Sequence, residues 1–174
     1  MKEMMQEDPD NYDRTLPELK AYLRRNFNEG VRCPCCEQFV KIYKRRINCQ
    51  MAKSLIDLYF MPGARNGKWY HRVDFKDDRF AGGGDFAKLR YWNLVEEKPN
   101  LEDVDKKCSG MWKITKDGMD FVVGRLQVPK YVHVYNTKVY DKSGDMIGIT
   151  TALGTKFSYR ELMNREELEG YGWT

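Results

Sequence analysis

An α+β fold is what this sequence predicts, and three observations predict it. Between residues 48 and 126, apolar-faced helices lead into a strand, a polar tip, a second strand and a further helix. Ahead of them stand a capped helix and a tight cysteine cluster, "CPCC". Behind them "YVHVYNTKVY" alternates with period two, as a half-buried strand does. A third helix that feeds a two-stranded wing describes a winged helix-turn-helix core. The expected organisation has four parts: a disordered acidic tail over 1–14, and an N-terminal helix, cysteine knuckle and basic strand over 15–47. The winged-helix core then spans 48–126, and a C-terminal β-hairpin/helix extension spans 127–174. With 174 residues, 41% of them hydrophobic, the chain has material for one core and too little for two full domains.

Each element has a local cause. Thr15 and Glu18 form a capping-box pair, Pro17 sits in the first turn, and Leu16, Leu19, Tyr22 and Leu23 recur at helical spacing. Asn28 and Gly30 end that helix. "QFVKIYKRR" is expected to be extended. A second helix runs from about Asn48 to Phe60, with Met51, Leu55, Ile56 and Leu58 on its apolar face, until Pro62 and Gly63 stop it. Asp85 is expected to cap a third helix, on which Phe86, Leu89 and Trp92 pack inward while Lys88, Arg90 and Tyr91 point outward. "NLVEEKP" and "MWKIT" are the wing strands, and alternation puts Trp112 and Ile114 on the face that covers Phe86 and Leu89. "KDGMDFVVGRL" resumes helical spacing. "DKSGD" is expected to be a turn between two C-terminal strands, and Ser158 with Glu161 to box a last short helix.

Cys33 and Cys36 form a Cys-x-x-Cys turn, and Cys49 follows Cys36 after twelve intervening residues that include a basic run. Such a turn points two thiolates at one ion, and structural Zn2+ takes four ligands in a tetrahedron. Cys33, Cys36 and Cys49 are the expected zinc ligands, with Cys35, Cys108, His71 or His133 as the fourth. Packing of the cysteines as small buried hydrophobes is the alternative, and a redox pair, without a thioredoxin-like context, stands third.

"CPCC…QFVKIYKRR", "GGDFAKLRYWNLVEE", "SGMWKITKDGMDFVVG" and "VPKYVHVYN" together resemble a family of small bacteriophage and prophage proteins. The similarity covers most of the chain from about Val31 to Met163. It implies a phage or prophage origin and a winged-helix core, and carries no activity with it.

The net charge is +4, unevenly spread. Residues 15–60 hold nine Lys or Arg against four Asp or Glu, behind a tail with two against five. The expected partner is therefore DNA, for a regulatory protein. Lys88, Arg90 and Tyr91 are placed to meet it from the third helix, and Lys41, Lys44, Arg45 and Arg46 from the basic strand. The wing opposes this: five carboxylates against three lysines between Val95 and Gly110 repel phosphate. The alternative is a protein-binding module acting on a host complex. No catalytic triad, phosphate-binding loop or paired-carboxylate pattern points to an enzyme. The absence of a long apolar run sets the expectation of no membrane partner and a cytoplasmic location.

Overall fold

A computed structural model describes residues 14–71, 74, 83–100 and 109–164. The expected acidic tail (save Arg14), the tip of the wing with Cys108 and the last ten residues lie outside them. The fold is α+β, with three small antiparallel sheets among the described residues.

Helix α1 spans Leu16–Asn26. The Glu18 carboxylate reaches back to accept from the Thr15 N–H at 2.8 Å and from its hydroxyl at 2.7 Å. After it come strands β1, Val31–Arg32, and β2, Phe39–Val40, paired Val31 to Val40 and Arg32 to Phe39. The basic segment read as one extended piece is two. The Ile42 N–H turns to Phe27 O at 2.8 Å, and strand β3, Tyr43–Arg46, joins a different sheet. Phe27, Cys33, Val40 and Ile42 form a small buried cluster of their own.

Helix α2, Cys49–Tyr59, is the centre of the main core. Its cap is Asn48, whose side chain accepts from the Met51 N–H at 2.9 Å. Met51, Ala52, Leu55, Ile56 and Leu58 are fully or almost fully buried. Burying one such large aliphatic side chain contributes about 1.5–3 kcal/mol. Strand β4, Tyr70–His71, follows. Residues Gly83–Trp92, expected as an α-helix capped by Asp85, form a 3-10 helix instead. Phe86, Leu89 and Trp92 are all buried, and their spacing of three matches the three residues per turn of that helix.

Strands β5, Val95–Glu97, and β6, Met111–Ile114, pair antiparallel, and β4 pairs with β6, giving the order β4–β6–β5. Trp112 and Ile114 are buried as alternation predicts, and Trp112 meets Phe86 edge-on with ring centroids 5.8 Å apart. Helix α3, Lys116–Val122, starts on Thr115, whose hydroxyl accepts from Gly118 N–H and donates to Asn93 O.

Strands β7, Val128–Tyr135, and β8, Lys138–Ile147, form a hairpin, and β3 adds to the free edge of β7. The turn is Asn136–Thr137, both left-handed (φ 45° and 63°), not "DKSGD". A two-residue hairpin turn with both φ positive matches the twist of its strands. The "DKSGD" stretch lies within β8, where Gly144 (φ 82°) accommodates a register shift opposite Lys130. Helices α4, Ile149–Leu153, and α5, Tyr159–Met163, are the last elements among the described residues, the latter with Ser158 accepting from the Glu161 N–H. The sheet is tied to the core by the Trp92 indole N–H, which donates to Pro129 O at 2.7 Å. One continuous core runs from Ile47 to Leu153. No described helix is long and apolar enough to cross a membrane.

Candidate nucleic-acid interface

Register places side chains on faces. Residues directly opposite in an antiparallel pair share one face of the sheet. Lys44 is opposite His133, which is opposite Asp141, and Arg46 is opposite Tyr131, which is opposite Ser143. Val132 and Val134 fill the other, inner face. The outer face thus gathers two cations, two rings, the Ser143 hydroxyl and the Asp141 carboxylate from three strands.

Tyr131 is the centre of this face. Lys44 Nζ stands 3.9 Å from its ring centroid and Lys130 Nζ 5.5 Å. A cation over an aromatic face contributes about 0.5–1 kcal/mol at an exposed site, and it holds the lysine without neutralising it. His133 Nε2 lies 2.8 Å from Ser143 Oγ. Among the described residues no carboxylate pairs with Lys44, Arg46 or Lys130. Residues 41–46 and 128–147 carry seven Lys or Arg against two Asp, which leaves the sheet cationic.

Two depressions flank this face. At one end, a groove of about 820 Å³ lies between the end of α1 and the sheet, with Phe27, Asn28, Lys44, His133, Tyr140 and Asp141 on its walls. At the other, a hollow of about 330 Å³ sits at the start of α2 and is ringed by Arg46, Lys130 and Lys156 with Thr151 and Thr155. Lys44, Arg46, Lys130 and Lys156 therefore mark a cationic track from groove to hollow.

The 3-10 segment offers less charge than its sequence suggests. Lys88 donates to the Asp85 carboxylate, and Arg90 pairs with Glu97 at 2.8 Å. The hydrogen bond from Lys88, above all, holds the Asp85 carboxyl below the usual range, with Asn48 and Arg45 adding to the effect. Tyr91 is half-buried, with the Arg90 guanidinium 5.4 Å from its ring. Of the basic-strand residues, Lys44 and Arg46 are exposed on the outer face, Lys41 is half-buried between β2 and β3, and Arg45 lies close enough to Asp85 to act on it. No protein-family model, curated protein or solved structure matches this chain.

The cysteines divide. Cys33 is buried in the small cluster, and N–H groups of Cys35 and then Cys36 aim at its sulfur. These bonds hold its thiol below the ordinary cysteine range although burial opposes them. Glu37 takes the left-handed conformation, φ 57°, that lets the turn close back on Cys33. Cys35 and Cys36 are exposed, whereas Cys49 opens α2 on the wall of the hollow. Among the described residues no three of His, Cys, Asp and Glu gather where they could hold a metal ion.

Sequence reasoning missed Lys130, Tyr131 and Tyr140, and offered His133 only as a possible fourth zinc ligand. A signal for two of them was present. Alternation in "YVHVY" puts Tyr131, His133 and Tyr135 on the face opposite Val132 and Val134. That β3 would pair with this strand, and so add its cations to those rings, is a long-range contact that no local pattern carries.

Proposed function

We propose that this chain binds nucleic acid across the outer face of the β3–β7–β8 sheet. One observation carries the proposal: Lys44, Arg46 and Lys130 surround Tyr131 with no carboxylate partner among the described residues, while Lys88 and Arg90 are both ion-paired. Phosphates reach Lys44, Arg46 and Lys130 without displacing a paired carboxylate, although Asp141 lies on the same face. At the 3-10 segment they must first displace Asp85 and Glu97, which restores the repulsion they were meant to avoid.

The span 48–126 is read as a winged-helix core in this proposal. Support comes from the order β4–β6–β5, from the 3-10 segment that leads straight into β5, and from the β5–β6 hairpin. The core then serves as the scaffold that holds the sheet, through Trp92 and Pro129, and not as the reader of a groove.

The test is binding of fluorescein-labelled oligonucleotides at low salt. The triple variant Lys44→Ala/Arg46→Ala/Lys130→Ala is expected to bind at least tenfold more weakly, and Lys88→Ala/Arg90→Ala within about threefold of the parent. The reverse ranking returns the contact to the 3-10 segment.

Protein binding has its own supporting observation. Strand β8 is an edge, and Val139, Tyr140 and Met146 along it are exposed. An edge strand with apolar side chains can accept a further strand from a partner. No affinity for any oligonucleotide at low salt favours this second reading.

A further inference from the structure

We infer that the groove between α1 and the sheet receives an unpaired base, so that the ligand is a single-stranded nucleic acid and not a duplex. The inference rests on the nucleic-acid proposal above and names the partner it requires. The groove, at about 820 Å³, is within the range of roughly 300–1,000 Å³ that small-molecule sites occupy, and a base with its sugar fits it. Its floor is aromatic. Phe27 is buried and meets Tyr140 edge-on at 5.3 Å and Tyr135 at 6.1 Å. Tyr140 nevertheless remains 62% exposed, so much of its ring is free for another flat surface.

The polar groups are arranged for a base edge and a phosphate. Asn28 can donate and accept, and the Asp141 carboxylate accepts only, which suits the exocyclic amino group of a base and repels phosphate. Lys44 stands on the same groove and leads onto the cationic track past Arg46 and Lys130. A strand laid along that track puts phosphates on the lysines and one base in the groove. In a duplex each base has both faces covered and its pairing edge used, so none can reach Tyr140 without leaving the helix.

The experiment uses the full chain, anisotropy, and three labelled probes of about twelve residues or base pairs: oligo-dC and oligo-C, whose base carries an exocyclic amino group, and a DNA duplex. Single strands are expected to bind at least tenfold more tightly than the duplex. Oligo-dC and oligo-C differ only in the sugar, so their ratio shows whether the 2′-OH is read. Tyr140→Ala should weaken single-strand binding about tenfold, the loss of one stacked base, while Tyr140→Phe keeps it. Thermal denaturation of both variants checks that the sheet is intact. Duplex binding equal to or tighter than single-strand binding, or indifference to Tyr140→Ala in a folded protein, overturns the inference and leaves the broader proposal standing. Absence of binding to all three probes overturns both.

Discussion

The Tyr131 ring is held between Lys44, whose Nζ lies 3.9 Å from the ring centroid, and Gly144, which has no side chain to push it away. A Cβ on Gly144 would stand 2.8 Å from Tyr131 Cδ2, and the backbone there is left-handed, φ 82°. Gly144→Ala should therefore cost about 1–2 kcal/mol for the conformation alone, with more for the displaced ring. Thermal denaturation checks the stability, and an oligonucleotide titration the lost cation geometry. An unchanged melting midpoint contradicts the tight contact.

Trp112 and Phe86 are core residues of the β4–β6–β5 half, 4% and 7% exposed. Truncating a core aromatic to alanine typically costs about 3–5 kcal/mol, out of the 5–15 kcal/mol that a domain of this size has to lose. Trp112→Ala should lower the urea midpoint sharply whether or not a ligand is present. A soluble Trp112→Ala protein with the parent's midpoint shows the ring to be dispensable to the core.

Asp85 links the 3-10 segment to the cap of α2 by accepting from the Asn48 side chain at 3.2 Å, and it accepts a second bond from Lys88 within the segment. Its folded pKa is depressed, chiefly by the hydrogen bond from Lys88. The stability it contributes is thus fully present above the unfolded value near 3.9 and is lost as pH falls through the lower folded value. Asp85→Asn should melt below the parent at neutral pH, and the gap should narrow in the acid range. A gap that holds constant below about pH 3 rules out this linkage.

Helices α1 and α2 were legible because cap, period and stop signal agree within one short window each. The 3-10 segment was misread as α although Phe86, Leu89 and Trp92 keep a strict spacing of three, which is that helix's own period. "DKSGD" reads as a turn because it holds a glycine between polar residues. The structure uses that glycine for a register shift and turns at Asn136–Thr137 instead, putting a β-branched residue at positive φ where propensity disfavours it. At the site, the basic run of β3 was visible as composition. The neutralisation of Arg90 was not, because Glu97 reaches it only through the path of β5.

The most direct measurement is the salt dependence of oligo-dT binding by the parent chain and by Lys44→Ala/Arg46→Ala/Lys130→Ala. Each phosphate contact contributes about 0.7 to the slope of log affinity against log salt for a single strand. Three lost contacts should flatten that slope by about 2, and Lys88→Ala/Arg90→Ala should leave it as it is. A slope unchanged in the triple variant and flattened in the Lys88/Arg90 variant contradicts the sheet as the nucleic-acid surface.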